Sequence, residues 1–258
     1  MILKAFELKG VYLKFQAIFF DLFNTLLHFD FSGLPQVNFR GEALRTTTVS
    51  VYEKIKKQWS VTFSYEEFLE EFVETKEIVR KMRGPEHREI PSLQRFQILS
   101  DRLELKQKSA AKLILKAHTD EMLRTIYLPD ENKVVLNKLS KYPLVLASNF
   151  DHAPTARAAL RQFGIEEKFE FIFISEEVGW RKPGGVFFEK IFDDVPYKPN
   201  RCLYVGDDPE ADVLGAGQVD FRVAWLTKSE PSIALNKSPM WTIQRLPQVL
   251  DIIDGGVH

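Results

Sequence analysis

The chain has 258 residues, enough for one large domain or two smaller ones with a buried core. Its 35 basic and 36 acidic residues give a net charge of -1, so no overall field would attract nucleic acid or an anionic membrane. The single cysteine, Cys202, excludes an internal disulfide and a cysteine-based zinc cluster. No apolar run reaches the roughly 20 residues of a membrane helix. These features predict a soluble, cytoplasmic protein.

The first predicted strand is the short apolar run that ends at Phe20, directly before Asp21. Consecutive apolar residues are typical of a strand that is covered on both faces. A buried charge inside the sheet would be costly, so we expect Asp21 at the C-terminal end of the strand, where open α/β sheets bind ligands. A turn Asp followed by Asn24 and Thr25 is an equally good interpretation of this stretch taken alone.

After the first strand, helical patterns predominate up to about residue 128. Four segments have apolar residues at helical spacing: 51–59, 64–82, 92–105 and 110–123. The second begins with Ser64, a favourable N-cap residue. Residues 30–128 are therefore predicted to form an all-helical insert.

From residue 131 onward, helical patterns alternate with short apolar runs. The predicted helices cover 134–139, 155–163, 186–192, 212–217 and 246–253, and the predicted strands cover 143–149, 169–174, 202–205 and 221–226. This alternation predicts a doubly wound parallel sheet, an α/β fold of the Rossmann-like type. The first strand would join the same sheet, so residues 1–29 and 129–258 form the predicted core domain. The insert, 30–128, would then lie over the ligand end of the sheet, where it could act as a lid.

Polar residues stand where three later segments of the predicted core end. They are Ser148 and Asn149 after one apolar run, Lys182 before Pro183 and a helix, and Asp207, Asp208 and Asp212 after another run. If the strands are neighbours, these acids meet Asp21, and clustered carboxylates raise each other's pKa unless a cation neutralises them. Oxygen ligands with room for water and phosphate favour Mg²⁺. Lys182 would supply a point charge to phosphoryl oxygens, and Ser148 would donate a hydrogen bond to them.

In this order, the segments resemble the motifs of the haloacid dehalogenase superfamily. The matching motifs are Asp21-Leu22-Phe23-Asn24-Thr25-Leu26, Ser148-Asn149, Arg181-Lys182-Pro183, and Gly206-Asp207-Asp208 through Asp212. The resemblance covers the whole chain, because the helical insert matches the cap that the family places between its first and second motifs. It implies a Rossmann-like core and phosphoryl transfer through an aspartyl-phosphate with Mg²⁺ as cofactor.

The resemblance also implies a role for each matching residue. Asp21 would be the nucleophile and a metal ligand, together with Asp207 and the backbone carbonyl of Phe23. Asp208 or Asp212 would bind the metal directly or hold its waters. The residues expected to bind the phosphoryl group are Ser148, Asn149 and Lys182, of which Ser148 and Lys182 are also expected to be catalytic.

Phe23 departs from the family's pattern. Family phosphatases have a second Asp at this position, which protonates the leaving alcohol and later activates water. A missing general acid or base typically costs roughly 10²–10⁴-fold in rate. The preferred hypothesis is a Mg²⁺-dependent phosphohydrolase of a small phosphorylated metabolite, with a substitute acid or a leaving group that departs unassisted. The candidate substitutes are His28, Asp151 and His152.

Two alternatives remain open. Dehalogenases of the family have an aromatic residue at the position of Phe23 and release halide, which needs no proton; Arg40 or Arg45 could then bind a substrate carboxylate. Those enzymes dispense with the metal, and the acidic cluster after Gly206 argues against that reaction. The second alternative is a binding or regulatory module with weakened chemistry. The joint presence of Asp21, Lys182 and Asp207 weighs against it.

Overall fold

The computed structural model describes residues 6–8, 11–228 and 239–255. The strands in these ranges are, in chain order, Phe6–Leu8 (β1), Val11–Leu13 (β2), Ile18–Phe20 (β3), His28–Phe29 (β4), Gln36–Phe39 (β5), Glu42–Arg45 (β6), Ile126–Tyr127 (β7), Leu144–Ser148 (β8), Phe171–Ile174 (β9), Leu203–Gly206 (β10), Arg222–Leu226 (β11) and Trp241–Ile243 (β12). Four stretches of the predicted core domain lie outside the described part of the chain: 1–5, 9–10, 229–238 and 256–258.

The described helices fall into two groups. Those between β6 and β7 are Thr48–Gln58 (α1), Tyr65–Arg83 (α2), Ser92–Arg102 (α3) and Ala110–Thr125 (α4). Those after β7 are Asp130–Lys138 (α5), Ala153–Gln162 (α6), Ser175–Val178 (α7), Gly185–Asp194 (α8), Gly215–Gln218 (α9) and Gln248–Asp254 (α10). In the described ranges, no helix combines the length and apolar character needed to cross a membrane.

The centre of the fold is a six-stranded sheet with the order β12-β11-β10-β3-β8-β9, in which every neighbouring pair is parallel. Side chains alternate between its two faces, so Phe20 packs in one apolar cluster and Phe19 in another. Helices α5, α6 and α10 cover the first face, and α8 and α9 cover the second. The predicted Rossmann-like, doubly wound α/β fold is confirmed.

Helices α1 to α4 have an apolar cluster of their own, built around Phe68, Phe72 and Phe96. The predicted N-cap of α2 is confirmed, because Ser64 and Glu67 form a reciprocal capping box. We call residues 30–128 the helical region, although the structure adds a β5–β6 hairpin ahead of the helices. Sequence reasoning missed this hairpin because its strands are short and largely exposed: Gln36–Phe39 alternates polar and apolar residues over only four positions, and Glu42–Arg45 does not alternate. Its turn has positive φ at Arg40 and Gly41, as two-residue hairpins require.

The chain enters and leaves the helical region through two adjacent segments. Strands β4 and β7 pair antiparallel, with His28 opposite Tyr127 and Phe29 opposite Ile126. The region is therefore connected to the sheet by a two-stranded link directly after the first motif.

Candidate active site

Asp21 lies at the C-terminal edge of the sheet, as predicted. Its backbone N–H continues the ladder by donating to Val205 O (2.9 Å), and the chain then leaves the sheet. The N–H groups of Leu26 and Leu27 both donate to the carbonyl of Leu22, at 2.8 and 2.9 Å. This tight turn ends β3 at the carboxylate, which is 7% exposed and can reach a ligand above the sheet.

The Lys182 ammonium is buried beneath the Asp21 carboxylate. Its Nζ lies 2.8 Å from Asp21 Oδ1, 2.6 Å from Asp212 Oδ1, 2.8 Å from the Ala147 carbonyl and 2.7 Å from the Tyr204 hydroxyl. Burial alone would lower the pKa of Lys182, but Asp21 and Asp212 raise it well above the usual value. The ammonium is therefore a permanent positive charge that joins two carboxylates from distant parts of the chain.

Sequence reasoning missed Tyr204 in this network. The residue is fully buried in β10, and its hydroxyl lies 3.1 Å from Ala147 O and 3.0 Å from Asp212 Oδ1. A phenol in an otherwise apolar strand, two residues before Gly206, was the available signal, because a buried hydroxyl needs a partner. Tyr204 holds the lysine and the carboxylate in one hydrogen-bonded layer.

Three carboxylates meet at this edge. Oxygen atoms of Asp21, Asp207 and Asp212 lie within 4.8 Å of one another. Thr25, from the first motif, donates from Oγ1 to Asp207 Oδ1 at 3.2 Å. Gly206 is required here, because a Cβ at that position would overlap the Asp212 carboxylate. An all-oxygen donor set of this kind fits Mg²⁺ better than a softer metal.

The electrostatics of the cluster also fit a divalent cation. Burial raises the pKa of Asp21 to about 7; Lys182 opposes that shift, and Asp212 and Asp207 add to it. Burial and the nearby Asp212 carboxylate raise the pKa of Asp207 to about 6. Three carboxylates with one ammonium keep an excess of negative charge, which a bound cation would neutralise.

Asp208 lies apart from the other acids that the resemblance assigns to the metal site. It is exposed, and its Oδ1 accepts from the backbone N–H groups of Glu210 (2.8 Å) and Ala211 (2.7 Å). The carboxylate caps the helical turn at Pro209–Leu214 and lies outside the group of three. The Asp212 carboxylate accepts from the backbone N–H of Asp208 at 3.0 Å and is buried. The structure thus distinguishes two acids to which the sequence analysis gave the same possible role.

Ser148 and Asn149 lie at the end of β8, beside Asp21. The Oγ of Ser148 is buried and has no hydrogen-bond partner among the described residues. The Asn149 side chain is engaged twice with Lys182, since it accepts from the backbone N–H (2.8 Å) and donates to the backbone carbonyl (2.9 Å). The amide therefore positions the lysine, which leaves the backbone of Asn149 for the predicted phosphoryl contact.

Phe23 is an aromatic wall of the site. It is 8% exposed and packs on Phe29 at 5.0 Å and on Phe150 at 4.6 Å between ring centroids. The Phe29 ring in turn stacks on Phe31 at 5.3 Å. The position that would carry a general acid is thus filled by a ring fixed between two others.

The candidate substitute acids are held by other groups. His28 lies beside Tyr127 in the two-stranded link, and its pKa is lowered by burial and by Lys228. The Asp151 carboxylate lies 4.0 Å from Arg83, and His152 Nδ1 is 2.7 Å from Thr155 Oγ1. Each of the three side chains therefore has a contact of its own among the described residues, and His28 also lines a cavity with Asp207.

Arg40 and Arg45 are also held locally. Arg40 forms an ion pair with Glu70, and Arg45 donates to the carbonyls of Ser32 (2.7 Å) and Leu34 (2.8 Å). Both arginines are exposed in the described structure. They stabilise the hairpin and its entry, which weakens the alternative in which one of them binds a carboxylate.

Comparisons with known proteins identify the family and the fold. A family model for haloacid dehalogenase-like hydrolases matches residues 15–220. The pyrimidine 5'-nucleotidase YjjG of Escherichia coli K12 is 25% identical over 249 residues, which are 93% of this chain and 99% of the relative. The crystal structure of a 2-haloacid dehalogenase from Pseudomonas syringae pv. tomato DC3000 has a TM-score of 0.65 at 18% identity, covering 94% of this chain and all of that one.

A second solved structure holds a metal. The crystal structure of YfnB of Bacillus subtilis, named as a haloacid dehalogenase (HAD) hydrolase, was obtained with bound magnesium. It has a TM-score of 0.61 at 17% identity and covers 93% of this chain and 99% of that chain. At these identities the structural likenesses show the shared fold. The matching family model, together with the motif residues gathered at the sheet edge, shows that the chain belongs to the haloacid dehalogenase-like hydrolases.

Proposed function

We propose that this hydrolase is a Mg²⁺-dependent phosphohydrolase that cleaves small phosphorylated metabolites through an aspartyl-phosphate at Asp21. The observation that carries the proposal is the meeting of three carboxylates within 4.8 Å, with the Lys182 ammonium 2.8 Å from Asp21. A nucleophilic carboxylate next to a fixed ammonium and an oxygen-lined cation site is the arrangement that phosphoryl transfer needs. The relative YjjG, named as a nucleotidase, is consistent with a phosphorylated substrate.

In the proposed reaction, an oxygen of Asp21 attacks phosphorus, and the bond from phosphorus to the substrate's leaving oxygen breaks, so that oxygen departs with the electron pair. Lys182 keeps the Asp21 carboxylate ionised and oriented. Ser148 Oγ, which has no partner among the described residues, donates to a phosphoryl oxygen. Asp21, Asp207, Asp212 and the carbonyl of Phe23 would hold Mg²⁺, which supplies charge neutralisation for the phosphoryl oxygens when bound. Water then hydrolyses the aspartyl-phosphate and frees Asp21 for the next substrate.

Phe23 limits the leaving groups that this site can accept. A buried ring held between Phe29 and Phe150 neither gives a proton nor takes one. The first step therefore favours leaving groups of low pKa, such as those of acyl or aryl phosphates, and the hydrolysis of the intermediate proceeds without a carboxylate base at this position.

The helical region would act as the cap over this site. Its own apolar cluster and its two-stranded link through β4 and β7 support a separate domain at 30–128, with 1–29 and 129–258 as the core. Because the link directly follows the first motif, a small rotation about it would open or close the seam above Asp21.

The test is phosphate release by the purified protein from acetyl phosphate and p-nitrophenyl phosphate. We expect release that requires Mg²⁺, that stops with EDTA and that falls by about 10⁴-fold or more in Asp21→Asn, since removing a nucleophile costs factors of this order. Asp208→Asn is the matched control and should keep most activity, because Asp208 caps a helical turn outside the cluster. Release that is insensitive to EDTA or to Asp21→Asn would contradict the proposal.

A dehalogenase is the second candidate, and the buried aromatic ring of Phe23 favours it. The same preparation is therefore assayed for chloride release from 2-chloropropionate without metal. Chloride release with no phosphate release would replace the phosphohydrolase by the dehalogenase. Absence of both would favour a binding or regulatory module.

A further inference from the structure

A second buried cation lies in the helical region, on a helix that contacts the catalytic loop, residues 149–152, which follows Ser148. Arg95, on α3, is 8% exposed. Its Nε and Nη2 atoms are buried and have no acceptor among the described residues. Asp151 attracts the guanidinium only at a distance, because the two form no ion pair in the described structure. Arg95 is thus a buried charge whose hydrogen-bonding groups have no protein partner there.

The guanidinium of Arg95 contacts aromatic rings, and its buried Nε and Nη2 atoms have no hydrogen-bond acceptor among the described residues. The guanidinium carbon lies 4.8 Å from the centroid of the Phe72 ring and 4.8 Å from that of Phe96. Burial lowers the pKa of Arg95 to about 10, so the group stays charged at neutral pH. The ring faces attract the positive charge of the guanidinium, but they do not provide acceptors for its five N–H donors. An oxyanion would provide such acceptors.

The neighbourhood has more positive charge than its carboxylates balance. Glu89 is buried and already shared by Arg181 (3.2 Å) and Arg83 (3.3 Å). Lys76 places its ammonium 5.8 Å from the centroid of the same Phe72 ring that Arg95 covers. Lys76 is exposed, and neither Arg95 nor Lys76 forms an ion pair with a carboxylate among the described residues.

The helix that carries Arg95 contacts the loop that follows Ser148. The first turn of α3 is fixed to the catalytic loop, because Ser92 N–H donates to the carbonyl of Asp151 at 2.7 Å. Arg95 follows Ser92 by one turn on the same buried face of α3. Phe150, from that loop, packs on Phe23, two residues after the nucleophile. These contacts connect the helix that carries Arg95, through the loop after Ser148, to the ring two residues after the nucleophile.

We propose that Arg95, with Lys76 beside it, binds a second anionic group of the substrate, a carboxylate or a second phosphate. The substrate class would then be small phosphomonoesters that carry another anion. This inference rests on the proposed function, since it names the substrate of the same site. A planar guanidinium can bind either oxyanion with two parallel hydrogen bonds, and the bound anion would satisfy the buried N–H groups.

The experiment compares matched substrates that differ in the second group. The compounds are aryl phosphates, because Phe23 supplies no acid to the leaving group. 4-Carboxyphenyl phosphate is compared with 4-carbamoylphenyl phosphate, and benzene-1,4-diol bisphosphate with 4-hydroxyphenyl phosphate, all with Mg²⁺. A charged hydrogen bond in a buried site predicts a preference of about 10- to 100-fold in kcat/KM, mostly through KM, for the member with the second anion. The pair that shows the preference identifies a carboxylate or a phosphate. No preference in either pair would overturn the proposal.

Variants then assign the preference to Arg95. Arg95→Gln should bring the two members of the preferred pair close to equal kcat/KM, and Arg95→Lys should keep part of the preference because it keeps the charge. Arg102→Gln is the matched control, since Arg102 is exposed on the same helix and pairs with Glu71; it should keep the wild-type ratio. An unchanged ratio in Arg95→Gln would overturn the proposal.

A binding measurement separates this inference from the proposed function. If neither these four compounds nor acetyl phosphate and p-nitrophenyl phosphate release phosphate, the phosphohydrolase fails, and malonate is titrated while thermal unfolding is followed. Stabilisation of the wild type and Arg102→Gln, but not of Arg95→Gln, would support the anion site by itself. An equal shift in all three proteins would overturn it.

Discussion

Two buried cations, one in each region of the molecule, are treated in opposite ways. At the sheet edge, Lys182 meets two carboxylates, a carbonyl and a phenol, all within 2.8 Å. In the helical region, Arg95 lies against two neighbouring phenyl rings, and two of its nitrogen atoms have no acceptor in the described structure. A buried charge is tolerated when its partners are present in the protein or when a ligand brings them. The first cation thus belongs to the folded state, and we infer that the second belongs to the complex with substrate.

The largest effect should come from breaking the paired cation. Lys182→Met leaves Asp21 and Asp212 buried without their ammonium, and removal of one partner from a buried ion pair costs about 3–5 kcal/mol. We expect a loss of this size in the free energy of unfolding by urea, together with loss of phosphate release. Saturating Mg²⁺ should recover part of the stability, because it replaces some of the missing positive charge.

Lys190→Met is the control for that change. Lys190 is exposed on α8, so the same substitution should leave stability and activity near the wild type. Equal stability of the two variants would show that the Lys182 network adds little to folding.

The next largest effect should come from Phe23→Asp, which replaces the aromatic ring two residues after Asp21. The new carboxylate would stand where the family phosphatases have their general acid, and we expect turnover of an alkyl phosphate to rise by roughly 10²-fold, at the low end for acid–base catalysis. Loss of the ring contacts with Phe29 and Phe150 should lower stability at the same time.

Phe23→Asn is the matched comparison, since it loses the same packing and gains no acid. A similar turnover in both variants would show that proton transfer does not limit the rate.

A smaller effect should come from His118, which lies near Arg95 in the helical region. Burial and then the charge of Arg95 lower the pKa of His118 to about 3, and its Nδ1 lies 2.7 Å from Thr47 Oγ1. The unfolded chain therefore binds a proton at His118 below about pH 6.5 while the folded chain does not. Stability is lost as pH falls through that value, by about 1.4 kcal/mol between pH 7.5 and 5.5.

His118→Gln should remove this part of the pH dependence. The measurement is urea unfolding of both proteins at the two pH values. A wild-type and a variant that lose the same stability on acidification would show that His118 is not the group responsible.

The smallest effect is expected on the hairpin. Arg40 and Glu70 pair at the surface, with side chains 64% and 48% exposed. Exposed ion pairs add little, so Arg40→Gln should change the free energy of unfolding by no more than about 0.5 kcal/mol. It should also leave phosphate release unchanged. A large loss of activity would bring Arg40 back as a substrate-binding residue.

The sequence by itself determined the fold and the residues at the strand ends. Apolar runs that stop at Asp21, Ser148 and Asp207 state where strands end, and parallel strands bring their carboxyl ends to one edge. Local periodicity also determined α1 to α4. The β5–β6 hairpin had only a weak signal, because its alternation covers four residues of β5 and the exposed β6 has none.

Only the tertiary structure decided which partner each polar group meets. It placed Tyr204 on Lys182, gave Asp208 to a helical turn and Asp212 to the carboxylate cluster, and left Arg95 without an acceptor in the described structure. These pairings join residues far apart in the chain, and they depend on side-chain direction at distances of a few ångströms. Local patterns record where a chain turns and what it buries, but not which buried group a distant element brings to it.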